Sequence, residues 1–355
     1  MKKKIFALFV VFAFVLSGIG MAFADTKPKK KRVRQTNQLA ALLPASEGAL
    51  TLNVQRFFNE ALPQILAGNQ PMLNGILGKI DEIKNKTGID LRQFEQVAVG
   101  VQSKQISPTE IDFEPIVLAR GTFNAGALLA VAKVASKGKY REEKIGGKTV
   151  YVFTMKEIIE KDKPSTNQPT AKPSIFDKAI NKMFAGLSRE LAVTVYDNNT
   201  LAIGSLARVR ETFDAKMRIS SEVLDLVSRK PNAVISFGAN LPSGLSRFVD
   251  FDNDELGKNI DAIRQMSGAM DVTDGSAVVS MTAKTLRADQ AQSLQETLEG
   301  LQIVGKALLG GSKGADKKVY GRMVDNAKIS RSGNEVILDL QVPNSDINIL
   351  IGEKK

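Results

Sequence analysis

Apolar and polar positions alternate with two clear periods along most of the chain. Leu50, Leu52 and Val54 face one way and Thr51 and Asn53 the other, so Ala49 to Gln55 is predicted as a strand. Arg56 to Leu66 carries Phe57, Phe58, Ala61, Leu62 and Ile65. Met72 to Thr87 carries Leu73, Ile76, Leu77, Ile80 and Ile83. Spacings of three and four predict two amphipathic helices, the second ended by Gly88. Phe94 to Lys104 and Phe113 to Phe123 are predicted strands. Asn124 caps an alanine-rich helix to Lys137. Tyr140 to Ile145 and Lys148 to Thr154 form a hairpin around Gly146-Gly147.

Residues 161–174 hold no large apolar side chain and predict a disordered loop. Ile175 to Leu187 is then helical. Leu191 to Tyr196 and Thr200 to Gly204 predict a hairpin around Asp197-Asn198-Asn199. Helices follow over Leu206 to Lys216 and Ser221 to Arg229. Beyond Pro231 the theme repeats. A strand covers Ala233 to Ala239, and a helix lies around Glu255 to Met266. A hairpin joins Met270 to Thr273 with Ala277 to Lys284 around Asp274-Gly275. Ala288 to Leu308 is the longest helix. Lys328 to Arg331 pairs with Glu335 to Val342, and Asp346 to Ile351 is helical. Leu191 to Phe213 and Ala327 to Ile351 both read strand, polar turn, strand, helix. The fold class expected is α+β, with mainly antiparallel sheets, helices packed on one face and an approximate internal duplication of one α+β unit.

The start of the chain differs from all of this. Lys2, Lys3 and Lys4 precede an unbroken apolar run from Ile5 to Leu16, and Ala22-Phe23-Ala24 suits a signal peptidase. A secretory signal over residues 1–24, cleaved after Ala24, is the expectation, which makes the protein periplasmic or secreted. Residues 5–24 are also just long enough to span a bilayer, so an inner-membrane anchor carrying a cytoplasmic body is the alternative. A basic, flexible arm follows over residues 25–38, then a first unit over 39–229 and a second over 230–355.

Charge sharpens the picture of the arm. The chain carries 49 basic and 38 acidic residues, a net +11. Without Lys2 to Lys4 the count is 46 against 38, or +8. Without Asp25 and the cations Lys27, Lys29, Lys30, Lys31, Arg32 and Arg34 it is 40 against 37, or +3. The excess therefore sits in the arm, which suits an anionic membrane surface or an envelope polyanion. No specific nucleic-acid site is expected from it.

Composition closes several chemistries. There is no cysteine, histidine or tryptophan. Disulfides, thiol nucleophiles, zinc fingers and histidine-dependent triads are thereby excluded. Asp250, Asp252 and Asp254 match the opening ligands of a calcium loop. Glu255 then replaces the required glycine and Asp261 the bidentate glutamate, so helix capping explains the acids better. Gly310-Gly311-Ser312-Lys313-Gly314 fits a nucleophile-elbow pattern but follows a helix and lacks a base. Ala291, Leu294, Leu298, Leu301 and Leu308 read as a stripe packed on a sheet rather than a coiled-coil seam. No residue is assigned a catalytic or cofactor role, and no cofactor is expected. A hydrolase built on carboxylates or a serine–lysine pair is kept as an alternative to a binding or scaffolding protein.

Leu42-Leu43-Pro44-Ala45-Ser46 and Leu201-Ala202-Ile203-Gly204-Ser205-Leu206-Ala207 give the chain its resemblance to a family. It resembles uncharacterised exported bacterial proteins of the domain-of-unknown-function kind. That resemblance implies an envelope location and lends no catalytic residue.

Overall fold

The computed structural model describes residues 38–107, 110–136, 138–154, 190–242, 254–310 and 314–351. The leader, the arm, the 161–174 loop and the helix expected over 175–187 lie outside these. The chain divides into two compact units. The first joins Asn37–Gln55 to Ile76–Leu224, and the second joins Arg56–Gly75 to Asp225–Lys355. The sequence places the division at 229/230, and residues 56–75 group with the later part of the chain.

The first unit contains β1 (Gly48–Asn53), β2 (Phe94–Ser107), β3 (Glu110–Gly121), β4 (Tyr140–Ile145), β5 (Lys148–Thr154), β6 (Glu190–Asp197) and β7 (Thr200–Gly204). Their order across the sheet is β1-β2-β3-β7-β6-β5-β4, every pairing antiparallel. The second unit contains β8 (Ile235–Asn240), β9 (Ile263–Thr273), β10 (Ser276–Thr285), β11 (Lys328–Ser332) and β12 (Glu335–Pro343). Their order is β8-β9-β10-β12-β11, again antiparallel throughout.

These orders carry the duplication. In each unit a strand is followed by a helical stretch and a hairpin, and more helix leads to a second hairpin. The last strand of that second hairpin returns to pair with the first hairpin: β7 with β3, and β12 with β10. A helix then follows at once. The first unit adds the β4–β5 hairpin at its edge.

The helices are α1 (residues 54–65), α2 (Gln70–Thr87), α3 (Ala125–Ala135), α4 (Leu206–Glu211), α5 (Ser221–Val227), α6 (Asp254–Asp261), α7 (Ala288–Gly310), α8 (Ala315–Asn326) and α9 (Asn344–Ile351). Within α1 the bonding widens to a π turn over Phe57–Ala61, just before Pro63, which has no N–H to donate. Arg56 of α1 pairs with Asp271 at 2.9 Å, and Asn344 Nδ2 donates to Gln64 O at 2.7 Å, which ties α1 to the second unit.

Each core lies between sheet and helix. In the first unit Leu129 and Ala125 of α3 pack with Phe153, Val193, Leu201 and Phe123. The alternate side chains Val150, Val152, Ala192 and Ala202 are buried on the other face, where α4 packs against β6 and β7. In the second unit Ala291 and Leu294 of α7 pack with Ile263 and Val336. Each buried aliphatic side chain contributes about 1.5–3 kcal/mol. The β9–β10 turn uses Asp274 and Gly275 at φ 48° and 69°. That left-handed pair matches the right-handed twist of its strands.

Two expected helices end early, and one helix lies where none is expected. The helix around Glu255 to Met266 ends at Asp261, because Gln265 and Met266 pair with β8 and β10. The helix from Leu206 stops at Glu211 instead of Lys216. Thr212 Oγ1 turns back to Val209 O, and the Thr212 carbonyl accepts from Arg218. Helix α8 has no counterpart in the sequence reading, although Val319, Met323 and Val324 form its buried face.

Candidate functional site at the root of the basic arm

The segment that follows the arm is held firmly against the first unit. Leu39, Ala40 and Leu43 are completely buried. Leu42 N–H donates to Leu39 O at 3.1 Å, closing a 3-10 turn over Ala40–Leu42. The chain then runs beside residues 217–219. Ala45 N–H donates to Met217 O at 3.1 Å, and Ile219 N–H donates to Leu43 O at 3.0 Å. Glu47 N–H donates to Val101 O at 3.0 Å and leads into β1.

Two arginines complete the clasp. Ser205 caps α4 by accepting from Arg208 N–H at 3.3 Å, which aims Arg208 inward. Its side chain is fully buried. Nη1 donates to Gln102 Oε1 at 2.8 Å and to Glu211. Nη2 donates to Ala45 O at 3.0 Å and to Ser46 Oγ at 2.9 Å. Nε has no hydrogen-bond partner among the described residues. Burial pulls the guanidinium below its ordinary pKa, while Glu211 and Glu114 act against that shift. Arginine starts high enough to remain charged at neutral pH.

Arg218 works on the other side. Its Nη1 donates to Leu42 O at 3.1 Å and Thr212 O at 2.9 Å, and its Nη2 to Tyr196 Oη at 3.3 Å. Ser46 Oγ in turn donates to Pro44 O at 2.9 Å. Gly100 makes room for this packing, because a Cβ there would lie 2.5 Å from Ser46 Oγ. The four N–H groups on Arg208 Nη1 and Nη2 all meet acceptors within the fold. The arrangement is therefore a clamp on the backbone of residues 42–46, not a group presented to a substrate.

Sequence reasoning missed both arginines. Their visible signal is Ser205, a helix cap just after a strand, followed by a cation on the side of α4 that also bears Val209. Ser46, which ends the segment Leu42 to Ser46, accepts from Arg208, the residue that follows the segment Leu201 to Ala207. The six arm cations lie outside the described residues, as do Asp250 and Asp252. Asp254 opens α6. Of the glycine-rich motif, Gly310 ends α7 and Gly314 precedes α8 at φ 122°. No described helix is long and apolar enough to cross a membrane.

A further cationic cluster joins α3 to the edge hairpin. Lys133 Nζ lies 4.4 Å from the Tyr151 ring centre and 5.2 Å from that of Tyr140, and 3.3 Å from Glu142. Its partners are all internal, so it fastens the helix to the sheet.

No family model and no curated protein matches this chain. Among solved structures it is similar to crystal form III of TP0453, at 9% identity and a TM-score of 0.43, covering 88% of this chain and 96% of that one. Crystal form I gives 9% identity and a TM-score of 0.41, over 92% and 97%. The likeness is one of chain trace alone.

Proposed function

We propose that this is an exported binding or scaffolding protein of the cell envelope, held at an anionic surface by Lys27, Lys29, Lys30, Lys31, Arg32 and Arg34. One observation carries the reading: the segment joining those cations to the body is buried and doubly clamped. Attraction at the arm is then passed to the first unit through a fixed root. Six cations near an anionic bilayer supply about 1 kcal/mol each at low salt.

The test has two parts. A chain exported by a bacterial host should begin at Asp25 by mass, and an intact Met1 would overturn export with cleavage. The purified exported chain should sediment with vesicles of phosphatidylglycerol and phosphatidylethanolamine, and not with phosphatidylcholine alone. Replacing all six cations by serine should weaken that binding more than tenfold in low salt. Equal binding by the variant sinks the role of the arm.

A further inference from the structure

Helix α7 has two apolar faces. With about 100° per residue, Ala291, Leu294, Gly305 and Leu309 share one side, and all four are buried. The opposite side runs Asp289, Ser293, Glu296, Gly300, Ile303, Val304 and Ala307, every one exposed. Its first half is polar, as a solvated helix face should be. Its second half carries no charge, and Ile303 is 68% exposed and Val304 42%. Gly300 meets no neighbouring side chain that would explain it.

Helices α7 and α8 lie side by side. The last turn of α8 meets residues 302–306, where Lys306 pairs with Asp325 at 3.4 Å and Gln302 Nε2 donates to Val324 O at 2.7 Å. Its earlier part meets the end of α7, where a Cβ on Gly321 would lie 3.8 Å from Leu309. Lys317 and Lys318 stand in the first turn of α8, exposed, and pair with no described acid. Cations there oppose the helix dipole, which Asp316 in the same turn complements, leaving one net positive charge on the turn. A negative partner outside the fold would offset that charge. The same lysines would repel an identical face on a second copy.

We infer that the C-terminal half of α7, flanked by the first turn of α8, docks on an anionic lipid surface. Ile303, Val304 and Ala307 would enter the interface, and Lys317 and Lys318 would meet lipid phosphates. This deepens the envelope reading above and rests on it, but uses different residues.

The absence of tryptophan supplies a clean probe. In Ile303→Trp, the introduced indole should shift to the blue with phosphatidylglycerol–phosphatidylethanolamine vesicles and not with phosphatidylcholine alone. Gln292→Trp, on the polar half of the same helix, should stay in water. Ile303→Ser with Val304→Ser should lower vesicle affinity at least tenfold. A shift that survives removal of the six arm cations supports the face as a contact in its own right. Sedimentation without any shift overturns this inference and leaves the arm standing. A shift in buffer that grows with protein concentration also overturns it, because a second copy then covers the face.

Discussion

Arg208 bridges three parts of the first unit: the incoming strap of residues 38–46, β2 and, through Glu211, the end of its own helix α4. Removing one partner of a buried charge cluster leaves the rest desolvated and unmatched, which costs about 3–5 kcal/mol. Arg208→Ala is expected to destabilise the protein by that amount in urea unfolding. Arg208→Lys should recover only part of it, since an ammonium cannot reach four acceptors in a plane. A loss below 1 kcal/mol for the alanine variant would show the clamp to be idle. Asp90 offers a second test. It accepts from Arg92 Nε at 2.8 Å and pairs with Lys84 at 2.9 Å, and Arg92 first and Lys84 second hold its carboxyl well below the usual range. A depressed folded pKa stabilises the protein above the unfolded value of about 3.9, and that contribution is lost as pH falls toward the folded value. Acid unfolding should therefore steepen below about pH 4. In Asp90→Asn the midpoint should fall at neutral pH, with a flatter acid limb.

Two glycine classes separate at the scale of elements. A Cβ at Gly75 or Gly78 of α2 meets nothing within 4 Å, so Gly75→Ala and Gly78→Ala should each stabilise by about 0.5–1 kcal/mol. At Gly100 the added carbon would strike Ser46 and press on Ile116. Gly100→Ala should cost about 1–3 kcal/mol and loosen the strap. Thermal unfolding of the three variants checks the contrast. Legibility follows the same division. Turns and alternating strands were readable because their signals are local: Asp274-Gly275, Gly146-Gly147 and the period of two fall where expected. Helix α8 was not, because its apolar residues are few and its polar face is long. Met266 was misassigned because its cross-strand partners, Ala239 of β8 and Ala283 of β10, lie outside any local helical period.

For the whole molecule, the repeated strand order makes the strap the most telling deletion. Leu39, Ala40 and Leu43 are fully buried, and their removal with residues 38–46 also strips Arg208 of Ala45 O and Arg218 of Leu42 O. The truncated chain is expected to lose the cooperative transition of the first unit, seen as early amide exchange in β2, β3 and α4. Unchanged exchange there would mean that the arm hangs from a dispensable root.

The sequence alone determined the α+β class, most element positions and the duplicated strand–turn–strand–helix theme, because each depends on spacing between near neighbours. It also closed thiol, imidazole and disulfide chemistry by omission of the residues. Tertiary structure decided the rest. The return of β7 to β3 and of β12 to β10, the grouping of residues 56–75 with the later unit, and the meeting of Arg208 with Ser46 all join residues far apart in the chain. Such contacts are selected by the total burial and hydrogen bonding of the folded state, which no local period encodes.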